Sequence, residues 1–459
     1  MSELEGVLRE VDAGMPAALE RLFELLRIQS ISTDSAYAGA CREAADWLVD
    51  DLGTIGFDAK RHDTNGHPMV VAHMHNQPGK PHLMFYGHYD VQPVDPLELW
   101  HKPPFEPALE ETPAGQVIRA RGAADDKGQL MTFVEACRCW MSIHGALPVN
   151  VTLFFEGEEE SGSPSLIPFM QSHADELKAD LALVCDTGMW DRNTPAISTM
   201  LRGMVGEELV ITGPSLDLHS GMYGGPAMNP IRVLTRILAD LHDEQGRVTL
   251  PGFYDGVIEP PEHVREQWAS LNHDGKEFLQ AVGLEHPAGE QGYSVLEQIW
   301  SRPTCDVNGI HGGYTGEGFK TVLPSIASAK ISFRLVGDQD PDKIRQSFRE
   351  HVQSRLPADC KVSYNSKDGS RATVMPVAAD AFKKAQQALS DEWQTEAIYA
   401  GCGGSIPVVG HIKSILGMDS LLVGFMLDDD AIHSPNEKYS LDSFHKGTRS
   451  WARILQALA

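Results

Sequence analysis

Five short clusters in this 459-residue chain place imidazole and carboxylate groups where an apolar run ends. In FYGHYDVQP, His88 and Asp90 follow the run Leu83 to Tyr86, and two residues apart in extended chain they face the same way. An imidazole beside a carboxylate at a strand's carboxyl end suits metal binding, because open α/β sheets take ligands along that edge; a structural His–Asp pair would look the same. In RGAADDKGQL, Gly122 and Gly128 bracket Asp125, Asp126 and Lys127 just before a helix. A carboxylate on so stiff a turn can bridge two cations through its two oxygens, or it can simply cap the helix. In FFEGEEESGS, Glu156, Glu158, Glu159 and Glu160 are crowded together. Unless that loop is merely solvated, at least one pKa must rise, as a general base working near neutral pH requires. LALVCDTG holds a near-continuous apolar strand ending in Asp186, and DDDAIHSPNEK puts His433 in the loop after LLVGFM. Two imidazoles and three carboxylates, one of them bridging, would give each of two cations three protein ligands and room for water. Nitrogen and oxygen donors without thiolate suit zinc, manganese or cobalt.

These groups need a scaffold whose strand ends converge. Apolar residues three and four apart predict helices over Leu19 to Ile28 and Cys41 to Leu52, and a third over Gly128 to His144. Short apolar runs predict strands at Met69 to Ala72, Leu83 to Tyr86, Val151 to Phe155 and Leu181 to Val184, so the first part reads as an α/β sheet covered by helices. From Ile197 the texture changes to GEELVITG, a Gly/Pro-rich stretch, a helix at Pro230 to His242 and a strand at Ala329 to Val336, which reads as an α+β insert. After Pro376, ADAFKKAQQALSDEW, LLVGFM and the closing YSLDSFHKGTRSWARILQALA resemble the first layer again. The expected organisation is therefore one domain over 1–196 and 375–459, interrupted by a second over 197–374.

Composition narrows the function classes. The length suits two domains, and 42% apolar with 22% charged residues suits a globular chain. No stretch reaches the roughly 18 unbroken apolar residues of a membrane span, so no membrane partner is expected. A net charge of -26 argues against nucleic acid, which is held by a surplus of Lys and Arg. The acidic, helix-patterned start lacks a secretory signal, and the seven scattered cysteines form no CxxC pair, so a cytoplasmic protein with reduced thiols is expected.

Together, GHYDVQP, RGAADDKG, EGEEESGS, VCDTG, LDLHSGMYGG, CGGSIP and AIHSPNEK resemble the di-zinc metallopeptidase family. That family includes carnosinase-like dipeptidases, acetylornithine deacetylase, succinyl-diaminopimelate desuccinylase and carboxypeptidase G, and the chain is most similar to the carnosinase-like dipeptidases. The motifs run in family order from Gly87 to Lys438. The resemblance implies a catalytic domain with a central mixed sheet between helices, interrupted by a smaller α+β lid through which members form homodimers. It implies that His88, Asp125 and Asp186 hold one divalent ion, zinc in the first instance, and that Asp125, Glu160 and His433 hold the other. Asp90 would orient His88, and Glu159 would be the general base, with Glu158 spare. His219 in the lid would stabilise the oxyanion, and Thr321, Arg334 and Ser405 would contact substrate, although Arg334 also reads as a solvent-facing strand residue. The implied reaction is hydrolysis of a dipeptide's amide bond, with an N-acyl amino acid as the alternative substrate. A non-catalytic binding protein on the same scaffold would lack a ligand or the base, and all are present. One departure bears on substrate choice: the chain has Gly401 and Cys402 where those dipeptidases carry an Arg-Glu pair.

Overall fold

Near-continuous apolar runs such as MVVAHM, LMFYG, VTLFF and LALV can be buried on both faces only inside a sheet, and that is where they lie. The computed structural model describes residues 3–271, 273–404 and 406–459. The central strands Asn150–Glu156, His82–His88, Leu181–Val184 and Ser420–Val423 are parallel neighbours in that spatial order. Met69–Met74 and then Asp58–His62 extend the sheet antiparallel on one side, and Ala196–Leu201 does so on the other. The sheet is thus mixed, as the fold expectation had it. Because the four central strands run the same way, their carboxyl ends share one edge, and the loops that carry Glu158 to Glu160, His88 and Asp90, Asp186 and His433 all leave from it.

Helices cover both faces. On one, Phe85 stacks on Phe133 of helix Lys127–His144 at 3.9 Å, and both meet the Trp451 ring of helix Leu441–Ala457 edge-on. On the other, Phe154 stacks on Phe169 of helix Leu166–Ser172 at 5.6 Å. The first helix is longer than its apolar stripe suggested: it runs Glu3–Arg27 and accommodates Pro16, with Val7, Leu8 and Val11 adding a buried turn upstream. Helix Pro230–Ala239 stops short of the expected His242, because Leu241 and Asp240 are engaged instead by Thr249 of the returning chain.

The chain divides into two compact units, the first comprising Met1–Thr199, Met375–Ala400 and His411–Ala459, the second Met200–Val374 and Gly401–Gly410. Residues 401–410 thus group with the insert rather than with the closing segment. The second unit is a four-stranded antiparallel sheet in the order Thr304–Gly312, Ile326–Leu335, Gly203–Thr212, Lys361–Ser370. Strict alternation in Gly203–Thr212 buries Val205, Leu209 and Ile211 under helices Pro230–Ala239 and Pro341–Arg355. Glu207 lies on the same buried face and is paired with Arg345 and Arg349. Among the described residues no helix is long and apolar enough to cross a membrane.

At the opposite end of the central strands from the acidic loops, three imidazoles surround one hydroxyl. His73 Nδ1, His75 Nε2 and His82 Nε2 lie 3.0, 3.0 and 2.8 Å from Thr152 Oγ1. Burial, followed by the neighbouring His75, pushes His82 down to about 4, with Asp180 opposing. The unfolded chain, with its imidazole near about 6.5, therefore takes up this proton first as pH falls. The stability His82 contributes is complete above that value and is lost as pH drops toward about 4. Between pH 7 and 4.5 the urea midpoint is expected to fall less in His82→Gln than in the parent; equal slopes would remove His82 as a source of acid sensitivity.

Candidate metal centre

The turn between strand Gly115–Arg119 and helix Lys127–His144 is built to hold one carboxylate still. Gly122 adopts the left-handed φ of 80°, and a Cβ on Gly128 would sit 1.9 Å from the Ala123 carbonyl oxygen, so neither position admits a side chain without cost. Lys127 is fully buried and donates from Nζ to the carbonyls of Leu25 and Ile28 at 3.0 and 2.7 Å; burial lowers its pKa to about 7. Asp125, the residue so held, presents its two oxygens to two different imidazoles. Oδ1 is 3.1 Å from His88 Nε2 and Oδ2 is 2.9 Å from His433 Nε2.

The remaining groups converge on the same place. Ligand atoms of His88, Asp125 and Asp186 lie within 4.8 Å of one another, as do those of Asp125, Glu160 and His433. His88 Nδ1 donates to the Asp90 carbonyl at 3.1 Å and lies 3.4 Å from its carboxylate, which leaves Nε2 for the centre. The Asp90 carboxylate does more than face that ring: it accepts from Ser32 Oγ at 2.5 Å and from the backbone N–H groups of Glu159 and Glu160 at 3.2 and 3.0 Å. One buried acid thereby joins the histidine strand to the glutamate loop. Glu160 Oε2 lies 3.2 Å from His433 Nε2 and accepts from Gln92 Nε2 at 2.7 Å.

The electrostatics match divalent cations. Burial, reinforced by Asp125 and Asp126, pushes the Asp186 carboxyl well above the usual carboxylate range. Burial alone would lower His88, but hydrogen bonds to Asp125 and Asp90 outweigh it and raise the imidazole instead. Hydrogen bonds to Asp125 and Glu160 lift His433 to about 10. Positive charge is therefore favoured at the middle of the five groups, and their oxygen and nitrogen donors suit zinc, manganese or cobalt.

The crowded glutamates divide their work. Burial, with Glu160, Asp90 and Asp125 adding to it against His88, raises the Glu159 carboxyl above its ordinary value. Glu158 is turned away: its two oxygens accept the N–H groups of His67 and Ser165 at 2.7 and 2.8 Å, anchoring the loop. Glu156 accepts from Tyr86 Oη at 2.6 Å, and burial takes it to about 8. Sequence reasoning missed Ser32 and the anchoring use of Glu158. It also gave no role to Asp126, whose carboxylate accepts the His88 N–H at 3.1 Å. The adjacent acids of the DD pair were the only available signal for Asp126.

The expected substrate contacts fall in the second unit. His219 is exposed, in a two-residue strand paired with Val322–Leu323; its Nδ1 accepts from Gly221 N at 3.0 Å, so the ring proton sits on Nε2. The Thr321 carbonyl accepts from Ser220 N at 2.9 Å, beside His219. Arg334 lies on the partly exposed face of Ile326–Leu335. Arg202 lies close to it: burial and the Arg334 charge lower Arg202 to about 10. Ser405 lies outside the described residues. A Cβ on Gly401 would come within 2.3 Å of Trp300 Cβ, so the indole occupies the space that a side chain at 401 would need.

The profile of Peptidase family M20/M25/M40 matches residues 84–457. The chain is 29% identical to the Cys-Gly metallodipeptidase of Candida albicans, over 97% of this chain and 96% of that one. It is 26% identical to human Beta-Ala-His dipeptidase, over 85% of this chain and 78% of the other. Among solved structures, the M20 family metallo-carboxypeptidase Sso-CP2 from Sulfolobus solfataricus superposes with a TM-score of 0.79 at 32% identity, covering 96% of this chain and 99% of its own.

The two roles within the glutamate run are separable. Glu158→Gln leaves one buried N–H without an acceptor, which is expected to lower unfolding free energy by about 1–3 kcal/mol. Turnover per folded molecule should stay within about two-fold, since a group outside the reacting centre leaves the barrier nearly untouched. Urea melts and steady-state kinetics check this; a folded but inactive Glu158→Gln enzyme would place Glu158 in the chemistry.

Proposed function

The chain belongs to peptidase family M20/M25/M40, and from that premise we propose that it is a two-metal dipeptidase, hydrolysing the amide bond of small peptides. The observation that carries the reading is Asp125, whose two carboxylate oxygens face His88 and His433 separately. His88, Asp125 and Asp186 would hold one divalent ion, and Asp125, Glu160 and His433 the other. The chemistry such a pair would supply when bound is a water whose pKa is lowered toward about 7 and a polarised scissile carbonyl. Glu159 takes the proton of the attacking water and returns it to the leaving amine, a task its upward-shifted pKa suits. Asp90 keeps the His88 ring and the Glu159–Glu160 backbone in place. His219 offers an Nε2–H to the developing oxyanion, and Thr321 and Ser405 line the substrate. Arg334 receives a terminal carboxylate with its forked donors, and Arg202 adds a second positive charge beside it.

A second reading keeps the same centre and changes the substrate: removal of the C-terminal residue from a peptide or N-acyl amino acid. It is favoured by Trp300, which fills the space at Gly401 and so leaves no room there for the first residue of an Arg-Glu pair. We further propose zinc as the native metal, a homodimer formed through the second unit, and a cytoplasmic setting. The last is supported by seven free cysteines, six of them buried.

Chelator-stripped enzyme reloaded with zinc or manganese, offered dipeptides, tripeptides and N-acetyl amino acids, tests the function. Metal-dependent cleavage confined to dipeptides is expected; cleavage confined to acyl amino acids or to C-terminal trimming would replace the first reading with the second. In the same assay Glu159→Gln should keep both metals and lose about 10²-fold or more in kcat. Unchanged turnover in the metal-loaded variant would remove Glu159 from the base role.

A further inference from the structure

His433 and Asp125 belong to segments 308 residues apart, and one buried side chain ties those segments together. Glu437 is fully buried and lies four residues after His433. Its Oε1 accepts the backbone N–H groups of Ala124 and Asp125 at 2.9 and 3.1 Å. Its Oε2 accepts the N–H of Gly122 at 3.0 Å and Arg121 Nη1 at 2.7 Å. Four donors on two oxygens exhaust what a carboxylate can accept, and three of the four are the backbone of the turn that presents Asp125. Arg121 is itself buried and passes the connection on, donating from Nη2 to the Pro93 carbonyl at 2.9 Å, next in sequence to the Gln92 that holds Glu160.

The loop so attached needs outside support. Ala431, His433 and Asn436 have φ of 57°, 59° and 66°, left-handed values that residues with a Cβ adopt only where the surroundings over-determine them. Part of that support is local: Asp430 accepts from Leu427 N at 2.7 Å and from Lys438 Nζ at 3.0 Å. Asn436 is fastened to the segment before the turn, accepting from His101 N at 2.8 Å and donating to the Leu99 carbonyl at 2.9 Å. Among the described residues of this loop, Glu437 is the one whose side chain accepts from the backbone of the Asp125 turn.

We propose that Glu437 is a positioning residue for the second cation: its carboxylate fixes the His433 loop against the Asp125 turn and so sets the spacing of two of that cation's three ligands. Gln at 437 would leave one oxygen to accept and would point an NH₂ group at donors that have no acceptor, so the loop and the turn separate while the rest of the unit stays folded. The first cation, held by His88, Asp125 and Asp186, keeps two ligands that Glu437 does not touch, one at the end of strand His82–His88 and one just after strand Leu181–Val184. The inference rests on the two-metal reading.

Zinc titration of chelator-stripped protein, followed by calorimetry and by metal content after gel filtration, tests it in three chains. The parent should bind two equivalents, and Glu437→Gln should bind the first nearly as the parent does and the second about 10- to 100-fold more weakly. Glu135→Gln is the comparison, because Glu135 is a buried acid paired with Arg21 and Arg138 away from the centre; it should lose stability yet keep both affinities. Cobalt-loaded protein gives an independent readout, since its visible spectrum reports the geometry of each ion. If Glu437→Gln fails to fold, Arg121→Lys, which keeps the charge and removes the forked contact, should show the same selective weakening to a smaller degree. Parent-like affinity for both ions in the folded variant overturns the proposal. A parent that binds fewer than two ions overturns the two-metal reading instead.

Discussion

Asp125, Glu160 and Asp186 converge with Asp90, Asp126, Glu156 and Glu159 close behind them, and carboxylates so crowded repel one another. That repulsion is the constraint around which the first unit is arranged. The acids fall into two sets by what occupies their oxygens. Asp90, Glu158 and Glu437 spend theirs on backbone N–H donors, so each serves as a fastening within the loops. Asp125, Glu160 and Asp186 turn theirs toward the centre, where imidazoles or cations answer the charge. A low-dielectric interior strengthens both kinds of interaction, which is why an unpaired member of either set would be costly.

The sheet makes this arrangement possible at small entropic cost. Four parallel strands deliver four loops to one edge, and the apolar faces above and below are closed by the Phe85–Phe133–Trp451 and Phe154–Phe169 clusters. The loops therefore start from fixed points, and only their tips need to be ordered by polar contacts. The His433 loop departs from this pattern: it contains three left-handed residues bearing side chains and relies on neighbours far away in sequence.

Much of the site was legible because its ligands follow apolar runs directly. His88 and Asp186 end strands that periodicity alone identifies, and the glutamate run does the same, so their meeting at one edge follows once the strands are known to be parallel. The run AKISFRLV likewise announced a strand of the insert, found at Ile326–Leu335. What stayed hidden was the set of fastenings. Glu158 and Glu437 sit beside residues of interest and look like spare acids, and nothing in their spacing says that their partners are N–H groups of His67 or Ala124. Hydrogen bonds to backbone leave no trace in the partner's residue type. The grouping of 401–410 with the insert was hidden for a similar reason, since contacts of a Gly-rich stretch are set by others' side chains.

The insert enters and leaves the first unit through strands that pair with each other: Leu201 is opposite Thr373, Met200 is opposite Val374, and Met375 N donates to the Thr199 carbonyl at 2.9 Å. The two ends of a segment some 175 residues long are thus held as neighbours by a short antiparallel ladder. Closing a chain grows in cost only with the logarithm of its length, and here the closure is made by the ladder whatever hangs beyond it. Lineages can therefore lengthen, shorten or exchange the intervening module while the strand ends that carry His88 and Asp186 keep their register.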